Sequence, residues 1–197
     1  MFINWQQREI NLKLIYYGPP LSGKTTNLEQ IHRQLPASKR GEMLSVKTRE
    51  DRTLFFDFME LELNPINGLK PKFKLYTVPG QVYYAATRKL VLKDVDGLVF
   101  VADSSARRME NNRHSYREMG IQLQELRRSI DNVPLILQCN KQDLPDAVTP
   151  AEMRQKLRVP SSISILPAAA VNGQGVPDTL KSLMGMVIGR LRQASPQ

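Results

Sequence analysis

The run Gly18-Pro19-Pro20-Leu21-Ser22-Gly23-Lys24-Thr25 has the spacing G-x-x-x-x-G-K-[ST]. These residue types in this order suit one task, the holding of a phosphate chain. Successive backbone N–H groups curl around a phosphate, and glycine keeps Cβ atoms out of its way. A helix that starts directly afterwards adds its positive end. In this arrangement Gly18, Leu21, Ser22 and Gly23 line the phosphates and Lys24 bridges the β- and γ-oxygens. The hydroxyl of Thr25 binds Mg2+, and Thr26 is the next contact along the helix. Pro20 has no N–H to offer. It precedes the amides of Leu21, Ser22, Gly23 and Lys24, so binding is expected to survive and the hydrolysis rate becomes the open quantity.

A second short run, Asn140-Lys141-Gln142-Asp143, follows the apolar segment Pro134–Cys139. A carboxylate at its end accepts two hydrogen bonds from the N1–H and 2-amino group of guanine, a pattern that adenine does not present. Facing adenine, such a carboxylate would lose its partners at a cost of about 1–3 kcal/mol or more. Asp143 takes that role, Lys141 lays its alkyl stem along the base, and Asn140 braces the loop. Further on, Ala169-Ala170-Val171-Asn172 is placed to meet the guanine carbonyl oxygen, with the amide of Ala170 as the donor and Val171 beside it. Together the two runs imply a guanine nucleotide.

Thr77-Val78-Pro79-Gly80-Gln81 supplies the parts that would sense and remove the γ-phosphate. The Gly80 amide would touch it and Gln81 would orient the attacking water. An aspartate that holds Mg2+ through water is the usual first residue of such a run, and Thr77 stands in its place. Asp57, on the neighbouring strand, is the favoured substitute; Asp103, at the end of a later strand, is the alternative. Arg52-Thr53 closes a long polar segment. Thr53 is the candidate to coordinate Mg2+ and sense the γ-phosphate, ahead of Thr48, and Arg52 could neutralise charge in the transition state. Arginine fingers of this kind contribute roughly 10³–10⁵ in rate.

The elements that must position these residues alternate between strand-like and helix-like patterns, as in a mostly parallel sheet with crossover helices. The spacing predicts six strands: Ile10–Tyr17, Thr53–Leu63, Lys72–Val78, Gly97–Ala102, Pro134–Cys139 and one centred on Ile163–Leu166. Asn64-Pro65-Ile66-Asn67-Gly68 makes the second and third an antiparallel hairpin. Helices are predicted over Lys24–Leu35, Tyr83–Lys93, Arg107–Ile130, a short stretch from Pro150, and Val176–Arg192. The last carries Leu180, Leu183, Met184, Val187, Ile188 and Leu191 on one face, a core-packing stripe. Ala37–Arg52 reads as a mobile loop and Met1–Glu9 as a polar lead-in. No linker or repeat divides residues 1–197, so one domain is expected.

Composition excludes several classes. With 41% hydrophobic and 24% charged residues the chain is an ordinary globular one rather than a disordered one. Its apolar runs are too short to span a bilayer. The single cysteine, Cys139, cannot form an internal disulfide and reads as a small buried hydrophobe in a cytoplasmic protein. The net charge of +9 invites an acidic partner. The basic residues are scattered, however, and lack the aromatic interleaving of a single-strand nucleic-acid binder. Met1-Phe2 offers no myristoylation glycine and Ala194–Gln197 no prenylation cysteine, so any membrane association would be peripheral, through charge or partners.

These residues closely resemble the MglA-type bacterial Ras-like small GTPases, regulators of cell polarity and gliding motility. The resemblance covers nearly the whole chain and is carried by Arg8–Asn11, Tyr16–Pro19, Leu21–Leu28, Asp51–Phe58, Leu75–Gln81 and Asn140–Pro145, and the threonine at Thr77 is a mark of that family. It implies a Ras-like P-loop GTPase fold, GTP/GDP with Mg2+, an intrinsic arginine finger at Arg52 and a water-orienting Gln81. It also implies a hairpin strand that shifts register when GTP binds and a Roadblock-fold activating partner of MglB type. Effectors of polarity or motility, type IV pili included, and a place at the cell pole complete the implication. Pro20 departs from the glycine expected there. A slow GTP-binding scaffold and a P-loop nucleotide kinase are the competing readings.

Overall fold

The computed structural model of the protein describes residues 2–47, 53–65 and 68–194. Eight strands form one sheet: β1 (Phe2–Asn4), β2 (Glu9–Tyr17), β3 (Leu44–Lys47), β4 (Thr53–Glu62), β5 (Lys70–Thr77), β6 (Gly97–Asp103), β7 (Leu135–Asn140) and β8 (Ser164–Pro167). The order across it is β3-β4-β5-β2-β6-β7-β8, with β1 paired to β2 off that path. The pairs β2–β5, β2–β6, β6–β7 and β7–β8 are parallel. The hairpin β4–β5 is antiparallel, as expected. Five α-helices flank the sheet: α1 (Lys24–Gln34), α2 (Ala85–Leu92), α3 (Met109–Glu125), α4 (Pro150–Leu157) and α5 (Val176–Ala194).

The central strands are covered on both faces, and their sequences say so. All seven residues of β6 and all six of β7 are buried, the mainly apolar run of a parallel strand between two helical layers. In β2 the side chains alternate between two cores. Ile15 and Tyr17 join Phe100, Met119 and Leu123 on one face. Leu14 and Tyr16 join Leu28, Leu180, Leu183 and Val187 on the other. Parallel pairing places the C-terminal ends of β2, β5, β6, β7 and β8 along one rim of the sheet. The runs beginning at Gly18, Thr77, Asn140 and Ala169 lie at those ends.

Two expectations are corrected. The lead-in Met1–Glu9 contains β1, which pairs antiparallel with Glu9–Asn11 where β6 does not reach. The expected loop Ala37–Arg52 contains a 3-10 turn, Ala37–Lys39, and the edge strand β3, paired antiparallel to β4 with a register shift between Ser45 and Lys47. Strands of three or four residues carry too few alternations to register as a pattern. Helix α3 is also shorter than its predicted span. Arg127 turns left-handed (φ 57°), and the Arg128 and Arg127 amides bond back to Leu123 and Gln124, closing the helix without glycine. Cys139 is buried, and its thiol is pushed up to about 12 by that burial. Among the described residues no helix is long and apolar enough to cross a membrane.

Candidate functional site

The loop between β2 and α1 is shaped by backbone handedness. Gly18 (φ 150°), Leu21 (φ 62°) and Gly23 (φ 98°) interrupt an otherwise right-handed path and turn successive N–H groups to one side. A Cβ at Gly18 would strike the Val101 carbonyl of β6, and one at Gly23 would strike Asn140 Nδ2. Neither position tolerates another residue. Helix α1 then begins with no side chain capping its first amides and no acidic residue in its first turn, an arrangement that suits an anion. Ser22 is fully buried, and its hydroxyl has no hydrogen-bond partner among the described residues. Thr26 is half-buried on the same turn.

Lys24 is only 7% exposed and donates to the carbonyls of Gly18 (3.0 Å) and Pro19 (2.7 Å). Burial, reinforced by the nearby Arg88 and opposed by Asp57, lowers its pKa to about 7. Among the described residues this ammonium is hydrogen-bonded by neutral carbonyls alone, and a polyphosphate would suit it as a partner.

Next to it lies a carboxylate surrounded by hydroxyls. Asp57 on β4 is fully buried and accepts from Thr25 Oγ1 (2.6 Å), from Thr77 Oγ1 (2.8 Å) and from Ser45 Oγ. The Asp57 amide donates back to Thr77 Oγ1 (2.8 Å). Thr77 therefore occupies the place of the missing aspartate and holds the carboxylate that β4 delivers. Asp103 instead pairs with Lys141 Nζ at 2.7 Å, so Asp57 is the aspartate that meets Thr25 and Thr77. Among the described residues no group of three or more His, Cys, Asp or Glu could hold a metal. One carboxylate and a threonine hydroxyl suit Mg2+, a cation that keeps waters and takes phosphate oxygens. The side chain of Thr53 and all of Arg52 and Thr48 lie outside the described residues.

On the far side of Gly23, Asn140 joins two loops. Its Nδ2 donates to the Ser22 carbonyl (2.7 Å), and its Oδ1 accepts from the Ala170 amide (2.8 Å). The predicted bracing role of Asn140 has this geometry. Because Ala170 N–H is engaged there, a guanine carbonyl would share that donor or reach the neighbouring Val171. The loop around Val171 is tied down by Gln30 Nε2 of α1 on its carbonyl (3.1 Å). Lys141 sits left-handed (φ 70°), which throws its stem across the cleft toward Asp103. Asp143 is exposed, and no side chain among the described residues bonds its carboxylate. The run beginning at Gly18 and the run beginning at Asn140 thus lie side by side.

The model of the ADP-ribosylation factor family matches residues 1–187. The chain belongs to this family of small GTPases. It is 50% identical over 192 residues, 98% of each chain, to the mutual gliding-motility protein MglA of Myxococcus xanthus (strain DK1622). It is 31% identical over 139 residues, 66% of each chain, to ADP-ribosylation factor-like protein 4D of Homo sapiens. Over 191 residues, 94% of this chain and 92% of the other, it is 26% identical to ADP-ribosylation factor-like protein 2 of Drosophila melanogaster. The resemblance to MglA-type GTPases therefore extends across nearly the whole chain.

In this family member the loop bearing Gln81 lies directly on the phosphate loop. A Cβ at Gly80 would come within 2.5 Å of Pro20 N and 2.6 Å of the Pro19 carbonyl carbon. Pro20, the departure from the expected glycine, is thus the surface on which Gly80 rests. The motifs did not reveal what fixes this loop from below. Arg88 of α2 is 1% exposed and donates to the carbonyls of Pro79 (3.0 Å) and Gln81, while it pairs with Glu118 of α3. Nor did they reveal the buried chain Asn27–Gln138–Thr179, bonded at 2.9 and 3.0 Å, which links α1, β7 and α5 under the cradle. A polar residue in a buried stretch, such as Gln138 in the middle of β7, was the available signal for that chain.

Proposed function

We propose that residues 1–197 work as one small GTPase domain, a switch that binds GTP with Mg2+, hydrolyses it to GDP and phosphate, and engages different partners in the two states. The observation that carries this reading is the pair of hydrogen bonds made by Asn140, which donates to the Ser22 carbonyl and accepts from the Ala170 amide. A ligand bound there has a phosphate chain at one end and a guanine at the other. Lys24 and the amides of residues 21–24 hold the phosphates, Asp143 reads the base, and Thr25 with Asp57 and Thr53 holds the metal. Mg2+ would neutralise the β- and γ-oxygens. Gln81 orients water, and Arg52 neutralises charge that builds up as the bond breaks. The identity to a gliding-motility protein supports a role in motility or polarity at a cell pole, with a Roadblock-fold, MglB-type activator as partner. The reading as a P-loop kinase finds no support in a base pocket with a free carboxylate at Asp143.

Two measurements test the proposal. Asp143→Asn should move the base preference from GTP toward xanthosine triphosphate, and an unchanged preference would remove the guanine assignment. Single-turnover hydrolysis with and without a Roadblock partner should show acceleration. Tight GTP binding with no acceleration favours the second reading, a scaffold held in one state, for which the rigid Pro20–Gly80 contact is the specific reason.

A further inference from the structure

A polar chain runs under the loop that carries Gln81, and it begins at the phosphate loop. Tyr17, the last residue of β2 and the neighbour of Gly18, donates its hydroxyl hydrogen to Gln122 Oε1 of α3 (3.2 Å). Gln122 Nε2 donates to Glu118 Oε1 and to the Ala85 carbonyl, each at 3.2 Å. Glu118 pairs with Arg88, and Arg88 ends on the carbonyls of Pro79 and Gln81. Gly80, between those two carbonyls, presses back onto Pro19 and Pro20. The circuit closes on itself.

We infer that Arg88 is a positioning residue for the GTPase reaction: it grips the main chain on both sides of Gly80, is anchored in α3 through Glu118, and so fixes where Gln81 stands over the phosphate loop. This rests on the reading of Gln81 as the water-orienting residue. A guanidinium fits the task because its planar fork reaches separate acceptors at once, whereas a lysine ammonium is a point charge on a flexible stem. An arginine this deeply buried is uncommon unless paired, and here its partners are the functional loop on one side and a helix of the frame on the other. The same charge lies close enough to Lys24 to help depress its protonation. The γ-phosphate side of the site is thereby coupled to the position of α3.

The test uses the full chain in its GDP-bound form and two variants. R88K keeps the charge and loses the fork. R88M/E118M removes both ends together, so no lone charge is left buried and the fold is protected. Hydrogen exchange read by mass spectrometry should be at least tenfold faster over Pro79–Tyr84 in both variants, with less than twofold change over Gly18–Thr26 and Asn140–Asp143. Single-turnover GTP hydrolysis should fall at least tenfold while GDP dissociation stays within threefold. Unchanged exchange over Pro79–Tyr84, or a hydrolysis loss matched by an equal gain in GDP dissociation, overturns the inference. Should the unaltered protein hydrolyse no GTP, the role given to Gln81 falls, and the exchange contrast alone decides whether Arg88 tethers the loop.

Discussion

The two ends of the cleft are built differently. At the base end, Asn140, Lys141 and Ala170 are locked to one another and to Ser22 and Asp103 by bonds of 2.7–2.8 Å among buried or half-buried groups. Asn140 closes β7, whose six residues are all buried between β6 and β8, and Ala170 follows β8, the edge strand on that side. At the γ-phosphate end, the parts come from β3 and β4 at the sheet's edge, from residues 79–81, and from hydroxyls gathered round Asp57. Edge strands have fewer ladder bonds to hold them, and a loop held by one buried cation can be released by losing that cation's contacts. On the proposed reading, base recognition therefore rests on interlocked side-chain bonds, and the γ-phosphate parts rest on a short, register-shifted edge strand and a loop gripped by Arg88. A nucleotide switch needs that division, because the base and the β-phosphate stay the same through the cycle.

The largest expected effect comes from unfastening the stiff end. Asn140→Ala removes two buried bonds and leaves the Ser22 carbonyl and the Ala170 amide without their partner, at roughly 1–3 kcal/mol each. GDP affinity should drop about 10²–10³-fold, and isothermal titration would show it. A change below fivefold would mean that the base end is not the rigid one. At the other end, Gly80→Ala should spare binding and damage chemistry. Its methyl group would sit 2.5 Å from Pro20 N, a backbone atom that cannot yield, so the loop must back away from the γ-phosphate. Hydrolysis should slow roughly a hundredfold, the scale on which misplaced groups act, with GDP dissociation changed by less than threefold. Equal losses in both would erase the contrast between the ends.

Asp57 and Asp103 sharpen the contrast further, since each belongs to a different end. Asp57→Asn weakens the group that orients Thr25, and losses of 10–100-fold in metal affinity are typical when such partners are changed. The Mg2+ concentration that half-retains GDP should rise by that factor. Asp103→Asn releases Lys141 instead and should leave the Mg2+ requirement alone. A metal effect in Asp103→Asn would overturn the assignment of the two aspartates.

How much of this could be read from the residues follows the same line. The proposed phosphate loop and base reader are contiguous runs whose chemistry would lie in the backbone turn, so their spacing is enough to suggest them. The crossover helices and four parallel strand pairs followed from the alternation of buried runs. Asp57 was reachable, because the β4–β5 hairpin puts it across from Thr77. Arg88 was not, since it is one of 28 lysines and arginines and its burial against Glu118 leaves no mark in the sequence. Ser45 was hidden for another reason: it lies in a four-residue strand, too short to show a period, and meets Asp57 only through the β3–β4 register. What depends on one element's orientation against a distant one leaves no local signature.

The smallest effect is a titration, and it belongs to the seam between the two ends. Lys24, pulled down to about 7 by burial first and Arg88 second, is partly neutral at neutral pH before nucleotide arrives. A phosphate chain beside it favours the ammonium and pulls that pKa back up, so binding takes up a proton above about pH 7. GDP affinity should consequently fall about tenfold between pH 7 and pH 8.5, and the heat of binding should depend on the buffer's ionisation enthalpy with a slope approaching one proton. The stability of nucleotide-free protein should move the other way. Between about pH 7 and the ordinary lysine value of 10.5 the unfolded chain holds a proton that the folded one does not, so this group adds stability as the pH rises. Below pH 7 both forms hold it and the penalty is constant. In Lys24→Met both slopes should vanish together, and proton uptake that persisted in that variant would move the titrating group off Lys24.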